Sequence, residues 1–149
     1  MTHRHARIFV IEDNPGDFLL VKKAFSRARI ANELEHCDDG ESALARLRAE
    51  AEAGVLPDLV LLDLQLPGMS GKEVLAAIRA DEQLRHLPVV VMTSSKQEKD
   101  ILRSYKLGAS SFVTKPPSLS ELQEVVSSLH QYWFVLVKLP GEHGAPARG

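Results

Sequence analysis

Two short runs built only of aliphatic residues and one methionine, Leu59-Val60-Leu61-Leu62 and Val89-Val90-Val91-Met92, constrain this chain more than any other feature. A strand with one wet face alternates apolar and polar residues. A run that is apolar at every position needs cover on both faces, as parallel strands inside a sheet have. Parallel neighbours cannot be joined by tight hairpins, so helical crossovers must lie between such runs.

The rest of the chain supplies them. Arg7-Ile8-Phe9-Val10-Ile11 is a β-branched and aromatic run that stops at Glu12-Asp13-Asn14-Pro15-Gly16, a group of carboxylates and turn formers. From Asp17 the apolar residues Phe18, Leu19, Val21, Ala24, Phe25 and Ala28 recur at helical spacing, with Asn14 as cap and Pro15 in the first turn. Glu33 to Cys37 predicts a second strand, and Gly40 to Glu52 a helix carrying Ala43, Leu44, Leu47 and Ala51. After the first aliphatic run, the loop Leu66-Pro67-Gly68-Met69-Ser70-Gly71 leads to a helix holding Val74, Leu75, Ile78 and Ala80. The second run, entered through Pro88, ends at Thr93, Ser94 and Ser95, before a polar helix from Gln97 to Leu107 that Gly108 stops. Ser111-Phe112-Val113-Thr114 is the last strand; Lys115-Pro116-Pro117 breaks it, and Ser118 with Glu121 forms a capping box for a final helix. This alternation predicts an α/β fold, an open and mostly parallel five-stranded sheet with helices on both faces. The expected organisation is a flexible start over 1–6, one folded domain over 7–139 and a disordered tail rich in Gly and Pro over 140–149.

Composition narrows what such a domain could do. Its 149 residues, 44% hydrophobic and 26% charged, suffice for one core of ordinary kind. Lys+Arg 18 against Asp+Glu 20 leaves a formal net charge of −2, so no excess positive charge is available for nucleic acid or an anionic membrane, and neither partner is expected. No uncharged run approaches the roughly 20 residues that cross a bilayer. The single cysteine, Cys37, has no partner for an intramolecular disulfide, and no export segment follows Met1, so a cytoplasmic location is the expectation. Cys37 reads as a small core residue, and the six histidines show no metal-ligand spacing.

In a parallel sheet the residues just beyond the C-terminal ends of the strands converge on one rim, where ligands of open α/β folds bind. Here those ends carry Glu12-Asp13, Asp63, Thr93 and Thr114-Lys115. Clustered carboxylates repel one another unless a cation lies among them, and hard oxygen ligands favour Mg²⁺ or Mn²⁺. A metal with open positions, a lysine and a hydroxyl would together orient the equatorial oxygens of a phosphoryl group transferred in line. Asp63 is the expected nucleophile, because it ends a strand that packing would hold still. Asp13 is the expected direct metal ligand, Glu12 a ligand through water, and the backbone carbonyl of Gln65 a further oxygen.

The motifs Ile11-Glu12-Asp13-Asn14, Leu61-Leu62-Asp63-Leu64-Gln65-Leu66-Pro67-Gly68-Met69-Ser70-Gly71, Met92-Thr93-Ser94-Ser95 and Val113-Thr114-Lys115-Pro116 resemble the response regulator receiver family. The resemblance implies a flavodoxin-like, CheY-like (βα)5 doubly wound sheet and a two-component (phosphorelay) role. In that role Asp63 takes a phosphoryl group from a sensor histidine kinase with Mg²⁺, Thr93 moves toward it and Lys115 contacts it. Phe112 matches the family's aromatic switch residue. Such a domain catalyses only its own phosphorylation and dephosphorylation. Two positions depart from the common pattern: Glu12 adds a methylene where Asp is frequent, and Phe112 lacks the hydroxyl of the frequent Tyr. Glu12 to Asp17, Asp100 to Tyr105 and the ending from Tyr132-Trp133 to Pro140 are similar to regulators paired with phytochrome-type kinases, which implies a bacteriophytochrome as partner.

Two rival readings use the same rim. A Mg²⁺-dependent phosphatase or phosphotransferase with an aspartate nucleophile needs a second acid two positions on, where this chain has Gln65. A binding module of the same fold could signal without phosphorylation. The final helix adds a separate expectation. Leu119, Leu122, Val125, Val126, Leu129, Trp133 and Leu136 supply a core stripe, and Tyr132, Phe134, Val135 and Val137 widen it all round. That surplus predicts a homodimer through this helix and its neighbouring face, with Tyr132, Trp133, Phe134 and Val137 at the contact, unless the extension folds back on its own domain.

Overall fold

The computed structural model describes residues 6–27, 32–93, 108 and 111–114. Of the start over 1–6 expected to be flexible, Ala6 belongs to the first strand; residues 1–5, the helix expected over 97–107, Lys115, the expected final helix with Tyr132, Trp133, Phe134 and Val137, and the tail over 140–149 lie outside the described residues.

The elements run β1 (Ala6–Ile11), α1 (Pro15–Arg27), β2 (Asn32–Cys37), α2 (Gly40–Ala53), β3 (Leu59–Leu62), α3 (Gly71–Ala80), β4 (Val89–Thr93) and β5 (Ser111–Thr114). The five strands form one sheet in the order β2-β1-β3-β4-β5, and all neighbours pair in parallel. The first crossover, β1 to β2, therefore runs in one direction and the next, β2 to β3, in the other. With right-handed crossovers, α1 covers one face while α2 and α3 cover the opposite one. The reversal falls between β1 and β3, the position at which doubly wound sheets open a crevice at the rim.

The period-two geometry of strands sorts the core. Phe9, Ile11, Val60, Leu62, Val89 and Val91 pack against Ala43, Leu44 and Leu47 of α2 and Val74, Leu75 and Ile78 of α3. The alternate residues Ile8, Val10, Leu59, Leu61 and Val90 are equally buried and face the α1 side. This is why β3 is apolar at every position. In α1 the core stripe is narrower than expected: Val21, Ala24 and Phe25 are buried, but Leu19 is 52% exposed and Phe18 lies against the ring of His36. Cys37 packs partly buried at the core's margin, in line with a structural role.

Local signals set the boundaries. Asn14 Oδ1 accepts from the Asp17 amide at 3.0 Å and so caps α1. Asp39 does the same for α2 through the Ser42 amide, and α2 ends at Gly54, whose φ of 74° is the left-handed region that glycine occupies without strain. Ser70 and Glu73 form a reciprocal capping box at the start of α3. β1 begins one residue earlier than the apolar pattern indicates, because Ala6 pairs with Asn32 through backbone groups indifferent to side-chain polarity. β4 extends to Thr93, which pairs with Thr114, while Pro88, which lacks an amide hydrogen, stays outside the strand and only accepts, from Val60 N at 3.0 Å.

The N-terminal end of β1 is tied down by a balanced charge network. Arg7 reaches Glu35 of β2 at 2.8 Å and Glu50 of α2 at 3.2 Å. Arg46 reaches the same two acids at 2.7 and 3.2 Å, with its guanidinium over the Phe9 ring. The Arg7 hydrogen bond holds the Glu35 carboxyl below the usual carboxylate range. Asp58 closes the same end by accepting from the Arg7 amide at 2.9 Å. Toward the β4–β5 edge of the sheet Arg79 donates to the carbonyls of Gly108 at 2.7 Å, Arg85 at 3.0 Å and Leu87 at 2.8 Å. It thereby ties the end of α3 to the approaches of β4 and β5.

Candidate metal centre

The ladder bonds continue one residue past the strands at the opposite end. Glu12 N donates to the Cys37 carbonyl and Asp63 N to the Ile11 carbonyl, both at 3.0 Å. Each acid is thus fixed by a backbone bond before its side chain leaves the sheet. Glu12 and Asp63 stand on adjacent strands on either side of the topological reversal, and Asp13 follows Glu12. One carboxylate oxygen from each of Glu12, Asp13 and Asp63 lies within 4.8 Å of the other two. Glu12 is 2% and Asp63 8% exposed, whereas Asp13 faces solvent.

Local hydrogen bonds aim the buried pair. Glu12 Oε2 accepts from the Asn14 amide at 3.3 Å, and Asp63 Oδ1 accepts from the Gln65 amide at 3.0 Å. The loop after Asp63 returns on itself, Gly71 N donating to the Leu64 carbonyl at 3.0 Å. Any side chain at Gly71 would collide with the Asp63 carbonyl oxygen and Leu64 Cα. Glycine is required here for close approach: it lets α3 start against the backbone that carries the acid.

Three ionised carboxylates at this spacing repel one another by on the order of 3 kcal/mol per pair at an effective dielectric constant of about 20. Carboxylate oxygens are the ligands that Mg²⁺ and Mn²⁺ prefer, and a cation among them turns the repulsion into binding energy. Two of the three acids are held by the backbone while the third is accessible, so an ion seated here can keep positions open for a further ligand. The residues present fit such an ion.

Residues 8–127 match the response regulator receiver domain. The chain belongs to that family. It is 38% identical over 135 residues to the response regulator Rcp1 of Synechocystis sp., covering 89% of this chain and 92% of Rcp1. To the probable methanogenesis regulatory protein FilR2 of Methanothrix harundinacea it is also 38% identical over 135 residues, covering 90% and 87% of the two chains. Among solved structures, the phosphorylated cyanobacterial phytochrome response regulator RcpA superposes with a TM-score of 0.80 at 39% identity, over 88% of this chain and 95% of RcpA. The Mn²⁺-bound form of Rcp1 does so with a TM-score of 0.76 at 37% identity, over 86% and 94%. The flavodoxin-like, CheY-like fold implied by the motifs is therefore the fold of this chain. The receiver domain is homologous to two-component regulators that consist of little else, its function is phosphorelay signalling, and Mg²⁺ or Mn²⁺ is the cofactor that its acid cluster suits.

Of the residues expected at the rim, the structure brings Glu12, Asp13 and Asp63 together and sets the Gln65 amide on Asp63. Thr93 ends β4 opposite Thr114 of β5, and Phe112 pairs with Val91. These backbones therefore reach the same rim, while the side chains of Thr93 and Phe112, and all of Lys115, lie outside the described residues. Two contributors were absent from the expectations. Gly71 had a legible signal, a glycine closing the loop after Asp63. His36, whose Nε2 lies 2.7 Å from the Glu12 carbonyl, had none.

Proposed function

We propose that Asp63 is the phosphoacceptor of this receiver domain and that the ion which assists transfer is held by Asp13 and Asp63 directly, by Glu12 through water and by the backbone carbonyl of Gln65. The observation that carries the reading is the meeting of three carboxylates from two neighbouring strands at the topological reversal. When bound, the ion neutralises charge on the transferred group and on the acids around it. The chain's own part is to hold the Asp63 carboxylate at a fixed point, by the ladder bond to Ile11 and the Gln65 amide, so that an incoming phosphoryl group meets an aimed nucleophile. Thr93, Lys115 and Phe112 act on the phosphoryl group and relay its presence, by likeness to the family motif.

The donor in this reading is a sensor histidine kinase. Likeness to RcpA, a phytochrome response regulator, and to AtBRR, a bacteriophytochrome response regulator 38% identical over 85% of this chain, supports a phytochrome-type kinase. The domain is a switch that turns over only its own phosphoryl group, and Gln65 stands where an aspartate-based phosphatase needs its second acid. Its output is a change in what it binds. The apolar surplus around Tyr132, Trp133, Phe134 and Val137 supports a homodimer, and the net charge of −2 supports neither nucleic acid nor a membrane as partner. No helix among the described residues is long and apolar enough to cross a bilayer.

Incubation with acetyl phosphate and Mg²⁺ followed by intact-mass measurement tests this. One phosphoryl adduct that is lost in Asp63→Asn is expected. An adduct that persists in Asp63→Asn, or none on the unchanged chain, sinks the assignment, and steady phosphate release from many esters would mark an enzyme instead. Sedimentation equilibrium showing monomer alone, with and without phosphorylation, would remove the homodimer.

A further inference from the structure

β2 contributes to the acid loop through a side chain. Backbone pairing between β1 and β2 ends where Glu12 N meets the Cys37 carbonyl, and beyond Cys37 the chain turns at Asp38 and Asp39 to cap α2. A parallel ladder would next need an amide from β2 for the Glu12 carbonyl. The group that stands there is the imidazole of His36, its Nε2 2.7 Å from that oxygen. A carbonyl only accepts, so Nε2 carries the hydrogen. The ring is kept in place by Phe18 of α1, stacked on it with centroids 4.0 Å apart and planes 9° from parallel.

The carbonyl held in this way belongs to the peptide unit between Glu12 and Asp13. Rotation about ψ of Glu12 turns that unit and everything after it, and so swings the Asp13 carboxylate relative to Glu12, whose amide is held on Cys37, and to Asp63. We infer that His36 is a positioning residue for the divalent-ion site, fixing the Glu12-Asp13 peptide with one donated hydrogen bond while Phe18 fixes the ring. The inference rests on the reading of Glu12, Asp13 and Asp63 as the metal site. His36 touches neither the ion nor the phosphoryl group. It acts as the outer partners of metal ligands do, by limiting the orientations the ligands can take.

Two variants separate the hydrogen bond from the packing. His36→Phe keeps a flat ring for Phe18 and removes the donor; His36→Gln removes the ring and keeps an N–H at comparable reach. Mg²⁺ affinity of the full chain is measured by titration calorimetry without phosphodonor, alongside the unfolding temperature in chelator. His36→Phe is expected to bind Mg²⁺ about tenfold more weakly, with a metal-free unfolding temperature within about 3 °C of the unchanged chain, and His36→Gln is expected to recover most of the affinity. Affinity within about twofold of the unchanged chain in His36→Phe, or equal weakening in both variants, would overturn the inference, since neither depends on the donated bond. Asp13→Asn serves as reference. If it binds Mg²⁺ as tightly as the unchanged chain, the metal-site reading beneath the inference fails; if it loses binding while His36→Phe does not, only the role of His36 falls.

Discussion

The two ends of β1 carry charge clusters of opposite design. At the N-terminal end two arginines interleave with two glutamates across β1, β2 and α2, every contact joining unlike charges. At the C-terminal end three carboxylates crowd within 4.8 Å. The first arrangement spends its electrostatics on the fold, tying the edge strand and a helix to the sheet. The second sets like charges side by side and so holds free energy available to a cation. A strand of six residues thus links a structural end to a chemical end, and the sign of the pairings tells them apart.

That contrast can be broken by experiment. The largest expected effect is at the rim: chelation of divalent ions should abolish labelling by acetyl phosphate altogether, followed by intact mass, while leaving the fold intact by circular dichroism. Next, Arg7→Met should destabilise the chain by about 2 kcal/mol in urea unfolding, because it strips one of two shared partners, the less exposed one, from two partly buried glutamates and leaves them Arg46 alone. Asp13→Asn should act in the opposite direction when metal is absent, stabilising by about 1 kcal/mol through relief of repulsion, and should cancel the rise in unfolding temperature that millimolar Mg²⁺ gives the unchanged chain. Destabilisation by Asp13→Asn in chelator would show that the acid cluster serves the fold after all.

The smallest effect concerns pH. Glu35 is held below the usual carboxylate range by the hydrogen bond from Arg7. A carboxyl depressed in the folded state adds stability above its unfolded value, and that stability is lost as pH falls through the folded one. Glu35→Gln should therefore cost under about 1 kcal/mol at neutral pH and flatten the decline in unfolding temperature measured below about pH 4. An unchanged slope would show that Glu35 is not among the groups driving that decline.

The physical reason for what could be read in advance is periodicity and position. β3 and β4 announced themselves as interior strands by having no polar residue to turn outward, and the acids at strand ends followed from parallel topology. Asn14 was readable as a cap because capping needs only local chemistry. What escaped was non-local or indifferent to residue type. Leu19 is apolar like its neighbours yet stands 52% exposed, since at about 100° per residue it falls on the far side of α1 from Val21, Ala24 and Phe25. Glu35 in an edge strand looks like any solvated acid until Arg7 and Arg46 are placed beside it. A ring nitrogen bonded to a carbonyl 24 residues away leaves no trace in spacing or composition.

The absence of a side chain at Gly71 has a mechanical consequence. Because only a hydrogen atom fits between the first residue of α3 and the carbonyl of Asp63, the two cannot slide independently. At the start of α2, Gly40 likewise leaves room for Val74 of α3 and, less closely, for the Met69 carbonyl of the preceding loop. Two missing β-carbons thus seat the first turns of α2 and α3 close against each other and against the backbone that carries the acid.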